Sequence, residues 1–205
     1  GSDKPKGAMI VDIGGGTTDI AIITMGCVAV SKSLTIAGNA FDECIQNQLR
    51  RERDIIVGAK TAEYIKIKIG SALLRDVELG LTVKGKSNIT GMPLSFEVNS
   101  TETFLAMRPC LEKIVEGIRS VLEESTPELA SDVLESGIYL TGGGSLLRSL
   151  DKMISSKTGI KTKVAADPIN CVITGIGKAL ADIDILSKNG YVFKTNTQLN
   201  GYEDN

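Results

Sequence analysis

An apolar run, Ala8-Met9-Ile10-Val11, leads straight into Asp12-Ile13-Gly14-Gly15-Gly16-Thr17-Thr18-Asp19, and this stretch restricts the fold more than any other. A glycine gives up more backbone freedom on ordering than any other residue, so three in succession demand a reason. Residues 8–12, 19–24 and 27–36 are short, β-branched and punctuated by Gly14–Gly16 and Gly26. The pattern predicts three consecutive strands joined by tight turns. At least one glycine of the triplet is then expected at positive φ. Two uses of the bare backbone fit. Successive N–H groups can converge on an anion such as a phosphate, with Thr17 and Thr18 adding hydroxyl donors and Asp12 holding a hydrated Mg2+ or a water. The alternative is a plain tight hairpin with a capping threonine.

A second glycine triplet follows another apolar strand. Gly137-Ile138-Tyr139-Leu140-Thr141 runs into Gly142-Gly143-Gly144, and the spacing of Leu146, Leu147, Leu150, Met153 and Ile154 predicts a helix with those residues facing inward. A helix N-terminus presents free N–H groups and the positive end of its dipole, which favours an anion or the polar edge of a heterocycle. In a doubly wound sheet, ligands lie at the carboxyl ends of the strands, where this turn falls. Neither loop continues into Gly-Lys-Ser/Thr, and no G-x-G-x-x-G fingerprint is present, so the common P-loop and dinucleotide signatures are absent.

Between the triplets the period changes. Phe41, Cys44, Ile45, Gln48 and Leu49 read as a helix from residue 38 that ends in the solvated run Arg50–Arg53, and residues 60–72 read as a second helix with Ala62, Ile65 and Ile69 on one face. Val77, Leu79, Leu81 and Val83, then Leu94, Phe96 and Val98, alternate as a hairpin over 77–99, with 84–93 as its turn. Ser100 is placed to cap a long helix carrying the stripe Leu111, Ile114, Val115, Ile118, Val121 and Leu122. Thr126-Pro127 caps and opens another. A strand near 161–165 and a helix over 168–186 complete the order. Strands alternating with helices imply an α/β layer sandwich, interrupted by the block 37–104.

Composition narrows the function classes. A net charge of −2 over 205 residues lacks the basic excess of a nucleic-acid surface. No apolar run approaches the roughly 18 residues of a membrane span. There is no histidine, which rules out Ser-His and Cys-His nucleophiles and disfavours zinc, and the four cysteines are far apart in sequence and fit reduced, mostly buried thiols. Any hydrolysis rests on carboxylates, amides, hydroxyls or a metal. Gly1-Ser2 reads as a tag-cleavage scar on a piece of a longer protein.

An aspartate-led glycine hairpin followed further on by a strand ending in Thr-Gly-Gly-Gly resembles the superfamily of actins, sugar kinases and heat-shock chaperone ATPases. Within it, "MIVDIGGGTTDIAIITMG", "SLTIAGNAFDECI", "VGAKTAEYIKIKIGSA", "STPELASDVLESGIYLTGGGSLLRSLD" and "ADPINCVITGIGKALADID" are similar to the bacterial actins of the MreB and Mbl type. The resemblance runs over residues 9–184. It implies the second, C-terminal half of an actin-like ATPase: a ribonuclease H-like layer sandwich with a small inserted α+β lobe. Residues 1–7 are then scar and linker, 8–36 and 105–186 the larger subdomain, 37–104 the insertion, and 187–205 a flexible tail.

The same resemblance implies ATP and Mg2+ as cofactors. Asp12–Thr18 matches the loop around the β- and γ-phosphates, with Asp12 positioning Mg2+ or water. Gly142, Gly143 and Gly144 match the loop beneath the nucleoside, and 61–71 matches the helix beside adenine and ribose. On that helix Glu63 and Lys66 are three apart, as two side chains reaching one ligand should be, or as a solvated surface salt bridge would be. The half that supplies a further phosphate loop, the water-orienting residue and the membrane contact does not precede Ala8. The expected parent is a weak ATPase that assembles into filaments under the inner membrane, with cell-shape and wall-synthesis membrane proteins as partners, and this piece alone is inactive. The competing readings are half of a small-molecule kinase or chaperone ATPase, and a non-catalytic assembly module.

Overall fold

A computed structural model describes residues 6–181. Expectations for 1–5 and 182–205, the scar, the end of the last helix and the polar tail among them, lie outside the described residues. Lys6 and Gly7 are fastened to the helix that follows Thr126. The Lys6 ammonium donates to Glu135 at 2.6 Å, and the buried Gly7 N–H donates to the Asp132 carboxylate at 3.0 Å.

Three strands open the chain, β1 (Ala8–Ile13), β2 (Thr18–Thr24) and β3 (Cys27–Leu34). Then come α1 (Gly38–Arg53), the two-residue β4 (Ile55–Ile56), α2 (Ala59–Ile69), β5 (Gly80–Ser87) and β6 (Pro93–Asn99). The long α3 (Ser100–Glu124) and α4 (Pro127–Ser136) lead to β7 (Ile138–Thr141), a 3-10 turn at Gly143–Leu146, α5 (Leu150–Thr158) and β8 (Thr162–Val164). The chain divides into two units, one ending at Ile169 and one beginning at Asn170. Among the described residues the second unit holds α6 (Cys171–Ala181).

Two sheets carry the first unit. The larger has strand order β3-β2-β1-β7-β8. Its first two pairings are antiparallel, as the tight turns dictate, and its last two are parallel, as the helical crossovers dictate. The register of β3 on β2 slips at Ile22/Ile23, a bulge. The smaller sheet, β4-β5-β6, lies wholly within 37–104.

Strand periodicity fills the core. Met9, Val11, Ile13, Ile20, Ile22, Ile138 and Leu140 alternate onto one face and are completely buried. Burying each such side chain stabilises the fold by about 1.5–3 kcal/mol. The predicted stripe of α3, from Leu111 to Val121, is buried as well. A Cβ on Gly117 would meet the Leu34 side chain at 2.6 Å and that of Ile20 at 3.0 Å, so α3 crosses β2 and β3 at close range. Pro109 sits inside α3, where it cannot donate to the Leu105 carbonyl.

The structure corrects several local expectations. The hairpin strands run through Ser87 and resume at Pro93, so the turn is 88–92 and not 84–93. α2 ends at Ile69, where Gly70 caps it, three residues short of the predicted end. The helix predicted directly after Gly142–Gly144 is broken: the 3-10 turn comes first, Ser149 adopts a left-handed φ of 61°, and only then does α5 begin. Leu146 is 57% exposed rather than inward. Ser100 does not cap α3. The Asn99 side chain accepts from the Glu102 N–H at 2.8 Å while Glu102 accepts from the Asn99 N–H at 3.1 Å, a reciprocal capping box, and Ser100 Oγ instead accepts from the Leu79 N–H at 3.0 Å.

Asn99→Ala is expected to lower stability by about 1 kcal/mol in urea denaturation with an unchanged m-value. A loss below a few tenths of a kcal/mol would show that the capping box carries no weight.

Candidate functional site

The first glycine loop, Gly14–Thr17, bridges β1 and β2 and is closed by the Gly14 N–H donating to the Thr17 carbonyl at 2.9 Å. None of Gly14, Gly15 and Gly16 lies at positive φ, contrary to expectation. Packing does not require them either. A Cβ on Gly14 or Gly15 would make only ordinary contacts, and one on Gly16 would meet nothing within 4 Å. The loop is held from behind by the first turn of α1. The Gly38 N–H donates to the Gly14 carbonyl at 3.1 Å and the Asn39 N–H to the Gly15 carbonyl at 2.8 Å. Because a trans peptide points its C=O and N–H in opposite directions, the N–H groups of Gly15 and Gly16 face away from α1.

The threonines behave differently from the phosphate-donor expectation. Thr18 is completely buried and donates to the Ile36 carbonyl at 2.6 Å, so its hydroxyl is committed to the fold. Thr17 donates to Asp19 Oδ2 at 3.1 Å.

The second loop seats on the end of β1. Gly142 has φ 80°, and a Cβ there would collide with the Ile13 carbonyl and the Asp12 carboxylate, so only glycine fits. Gly144 presses against the Ile13 side chain, whereas a Cβ on Gly143 would meet nothing within 4 Å. The Pro168 carbonyl ties this turn down, accepting from the Gly142 N–H at 2.8 Å and from the Thr141 hydroxyl at 2.9 Å. The loop opens a four-residue 3-10 turn, so the α-helix dipole expected behind it is not there.

Lys66, on α2, is neither solvated nor paired with Glu63. Its ammonium donates to Asp42 Oδ2 at 2.9 Å and to the Gly38 carbonyl at 3.0 Å, with side chains only 15% (Lys66) and 11% (Asp42) exposed. Asp42 Oδ1 has no partner among the described residues, and burial pushes the Asp42 carboxyl above its usual range against the lowering pull of Lys66.

These pieces surround one cavity of about 700 Å3. Gly14, Gly15, Glu63, Lys66, Gly143 and Gly144 line it, and Asp12, Gly16, Thr17, Thr18 and Gly142 do not. Its wall also carries Asn39, Lys68, Arg75 and Arg148, which sequence reasoning missed. Arg148 falls four residues after the second triplet, a signal that was available; Arg75, beyond the end of α2, gave none. Arg75 donates to the Ile69 and Gly70 carbonyls at 3.3 and 3.1 Å, and burial together with the neighbouring Arg148 lowers its pKa. With Lys66 paired to Asp42, the three cations Lys68, Arg75 and Arg148 against the single carboxylate of Glu63 make a wall suited to an anion.

Asp12 sits between the two loops, opposite Asp19 on β2 and Thr141 on β7. Burial, and then Asp19, raise its pKa. Like charges opposite each other across two strands are destabilising. A cation held through water would relieve this pair, although no group of three or more acidic or thiol side chains forms a direct metal cage among the described residues.

The comparisons with known proteins point one way. The family model described as MreB/Mbl protein matches residues 2–188. The cell shape-determining protein MreB of Escherichia coli K12 is 46% identical over 182 residues, 89% of this chain and 52% of that protein. The crystal structure of MreB5 of Spiroplasma citri bound to ADP superimposes with a TM-score of 0.86 at 39% identity, covering 91% of this chain and 56% of that one. A MamK double helical filament gives a TM-score of 0.64 at 26% identity, over 78% of this chain and 50% of that one. The chain thus spans about half the length of the relatives it matches.

Because the folded pKa of Asp12 is raised, its contribution to stability is full below the unfolded value near 3.8 and is lost as pH rises through the folded pKa. Asp12→Asn is therefore expected to melt higher than the parent chain at pH 7.5, with the gap closing below about pH 4. A lower melting temperature at pH 7.5 would mean that the charge is already compensated within the fold.

Proposed function

The chain belongs to the MreB/Mbl family, and from that premise we propose that it is the nucleotide-binding second half of a bacterial actin whose full-length form assembles into filaments that govern cell shape and wall synthesis. The observation that carries this reading is the set of glycines with no internal reason to be glycine. Gly15, Gly16 and Gly143 satisfy neither a φ requirement nor a packing requirement, and Gly15 and Gly143 face the same cation-lined cavity. A bare backbone there leaves room for a ligand to come within hydrogen-bonding range of N–H groups. The fold match to a protein solved with ADP supports a nucleotide as that ligand.

In this reading the Gly15 and Gly16 amides take the terminal phosphates, the loop at Gly143 passes beneath the nucleoside, and Glu63 and Lys66 border its ribose and base. Asp12 would hold a hydrated Mg2+ through water, and that ion would supply charge neutralisation at the phosphates. The arginine and lysine wall draws the polyanion in. The other half of the cleft supplies the remaining phosphate contacts, so this chain alone binds weakly and does not turn ATP over. Block 37–104 is the inserted lobe. We place the full-length protein in the cytoplasm at the inner membrane face, with membrane and wall-synthesis partners engaged through the other half. None of the described helices is long and apolar enough to cross a membrane.

In the full-length protein, Gly15→Val and Gly143→Val should each weaken ADP binding by at least about tenfold in calorimetric titration. Their melting temperatures should stay within a few degrees of the parent. A folded variant with unchanged affinity reduces its loop to a turn and overturns the reading.

Asp12→Asn in the full-length protein should slow phosphate release while most ADP affinity remains. Unchanged turnover would remove Asp12 from the chemistry.

A further inference from the structure

Two cysteines with a sequence separation of 66 meet in the fold. Cys44 on α1 and Cys110 on α3 bring their sulfurs to 2.7 Å. Cys110 Sγ also lies 3.9 Å from the Ala40 carbonyl, in the first turn of α1, so α1 holds it at two points. Both residues are only partly buried. Glu43 and Lys113 flank the pair, and no metal-binding group forms around it among the described residues. The chemistry open to it is that of a dithiol.

We propose that Cys44 and Cys110 are a modification site, an intramolecular dithiol that closes reversibly to a disulfide and fastens α1 to α3. The oxidant is a low-molecular-weight disulfide, RSSR. The Cys110 thiolate attacks one sulfur of RSSR, forming Cys110–S–S–R and expelling RS−, which takes up the proton Cys110 lost. Cys44 then attacks Cys110 Sγ, the Cys44–Cys110 bond forms, and the second RS− leaves with the Cys44 proton as RSH. Two protein thiols lose two electrons in all, and one disulfide is reduced to two thiols. Burial, and then the contact with Cys110, hold the Cys44 thiol above its usual range, which suits it to the second step, taken against a sulfur already in contact with it.

The bond falls where it reaches the cleft. The first turn of α1, against which Cys110 rests, is the turn whose Gly38 and Asn39 amides hold the first glycine loop. Oxidation therefore fixes that wall to α3. Formation of the bond itself does not depend on what the cleft binds, so a failed nucleotide titration leaves this inference standing, and the reverse is also true.

The test uses the purified chain with Cys27→Ser and Cys171→Ser, treated with oxidised glutathione. The expected product is a monomer about 2 Da lighter, with a peptide linking Cys44 to Cys110. Its melting temperature should be on the order of 10 °C higher than that of the reduced form, and a dithiol reductant should reverse the change. Adding Cys44→Ser should leave a lasting glutathione adduct on Cys110. Two thiols still open to alkylation after treatment, a lasting adduct with both cysteines present, or a linkage that forms only in denaturant would each overturn the proposal. The original four-cysteine chain, mapped in the same way, covers the case in which a serine variant fails to fold.

Discussion

The site depends on the close seat of Gly142 against the end of β1. The parallel pairing of β1 with β7 places Thr141 beside Asp12, so the chain leaving β7 has to cross the Ile13 carbonyl at once. Only a residue without Cβ and at positive φ can make that crossing. With it made, Gly143 clears the strand end, and the Pro168 carbonyl locks the turn through two hydrogen bonds. Asp12 is thereby flanked by the second loop on one side and by Asp19 on the other, and its carboxylate has no cationic partner among the described residues. The close packing at Gly142 and the raised carboxyl of Asp12 beside it have one origin.

The opposite wall obeys a different logic. Lys66 and Asp42 form a buried ion pair, and such a pair is weak evidence for stability because desolvation offsets much of its attraction. Its value here is geometric. The ammonium reaches from α2 to both Asp42 and the Gly38 carbonyl on α1, joining the two helices that border the cavity at the point where α1 also grips the first glycine loop. Around this joint stand Lys68, Arg75 and Arg148, and burial, then the neighbouring Arg148, lowers the pKa of Arg75. The cleft is electrostatically incomplete as it stands, which is the condition in which a polyanion binds well.

Sequence alone gave the strand meander, the order of helices and strands, and both glycine loops, because each follows from a short-range signal: period 2, period 3.6, or consecutive glycines. Thr126-Pro127 was legible for the same reason and is confirmed as cap and first helical residue. Errors arose where a local signal had two local solutions, as at Asn99-Ser100, or where tertiary contact overrode it, as at Leu146 and Ser149. Within the site, the roles of Thr18 and Lys66 were beyond reach for a stronger reason. Their partners, Ile36 and Asp42, are 18 and 24 residues away, and nothing in the spacing selects them over a ligand or solvent. The reason for each glycine was equally hidden. Gly142 and Gly143 are identical letters, one fixed by its own backbone and the other left open.

Among the described residues β3 is an edge strand of the larger sheet, and an edge strand bears on how chains associate. A strand edge with unpaired N–H and C=O groups is a template for pairing with another chain. Here the edge is spoiled. The bulge at Ile22/Ile23 twists the ladder, and Ser31-Lys32-Ser33 sets a short polar segment along it, with Lys32 drawn toward Ser120 and Glu124 of α3. Backbone-to-backbone zippering along β3 is thus disfavoured, and any contact between copies on this side is left to shape and side-chain chemistry.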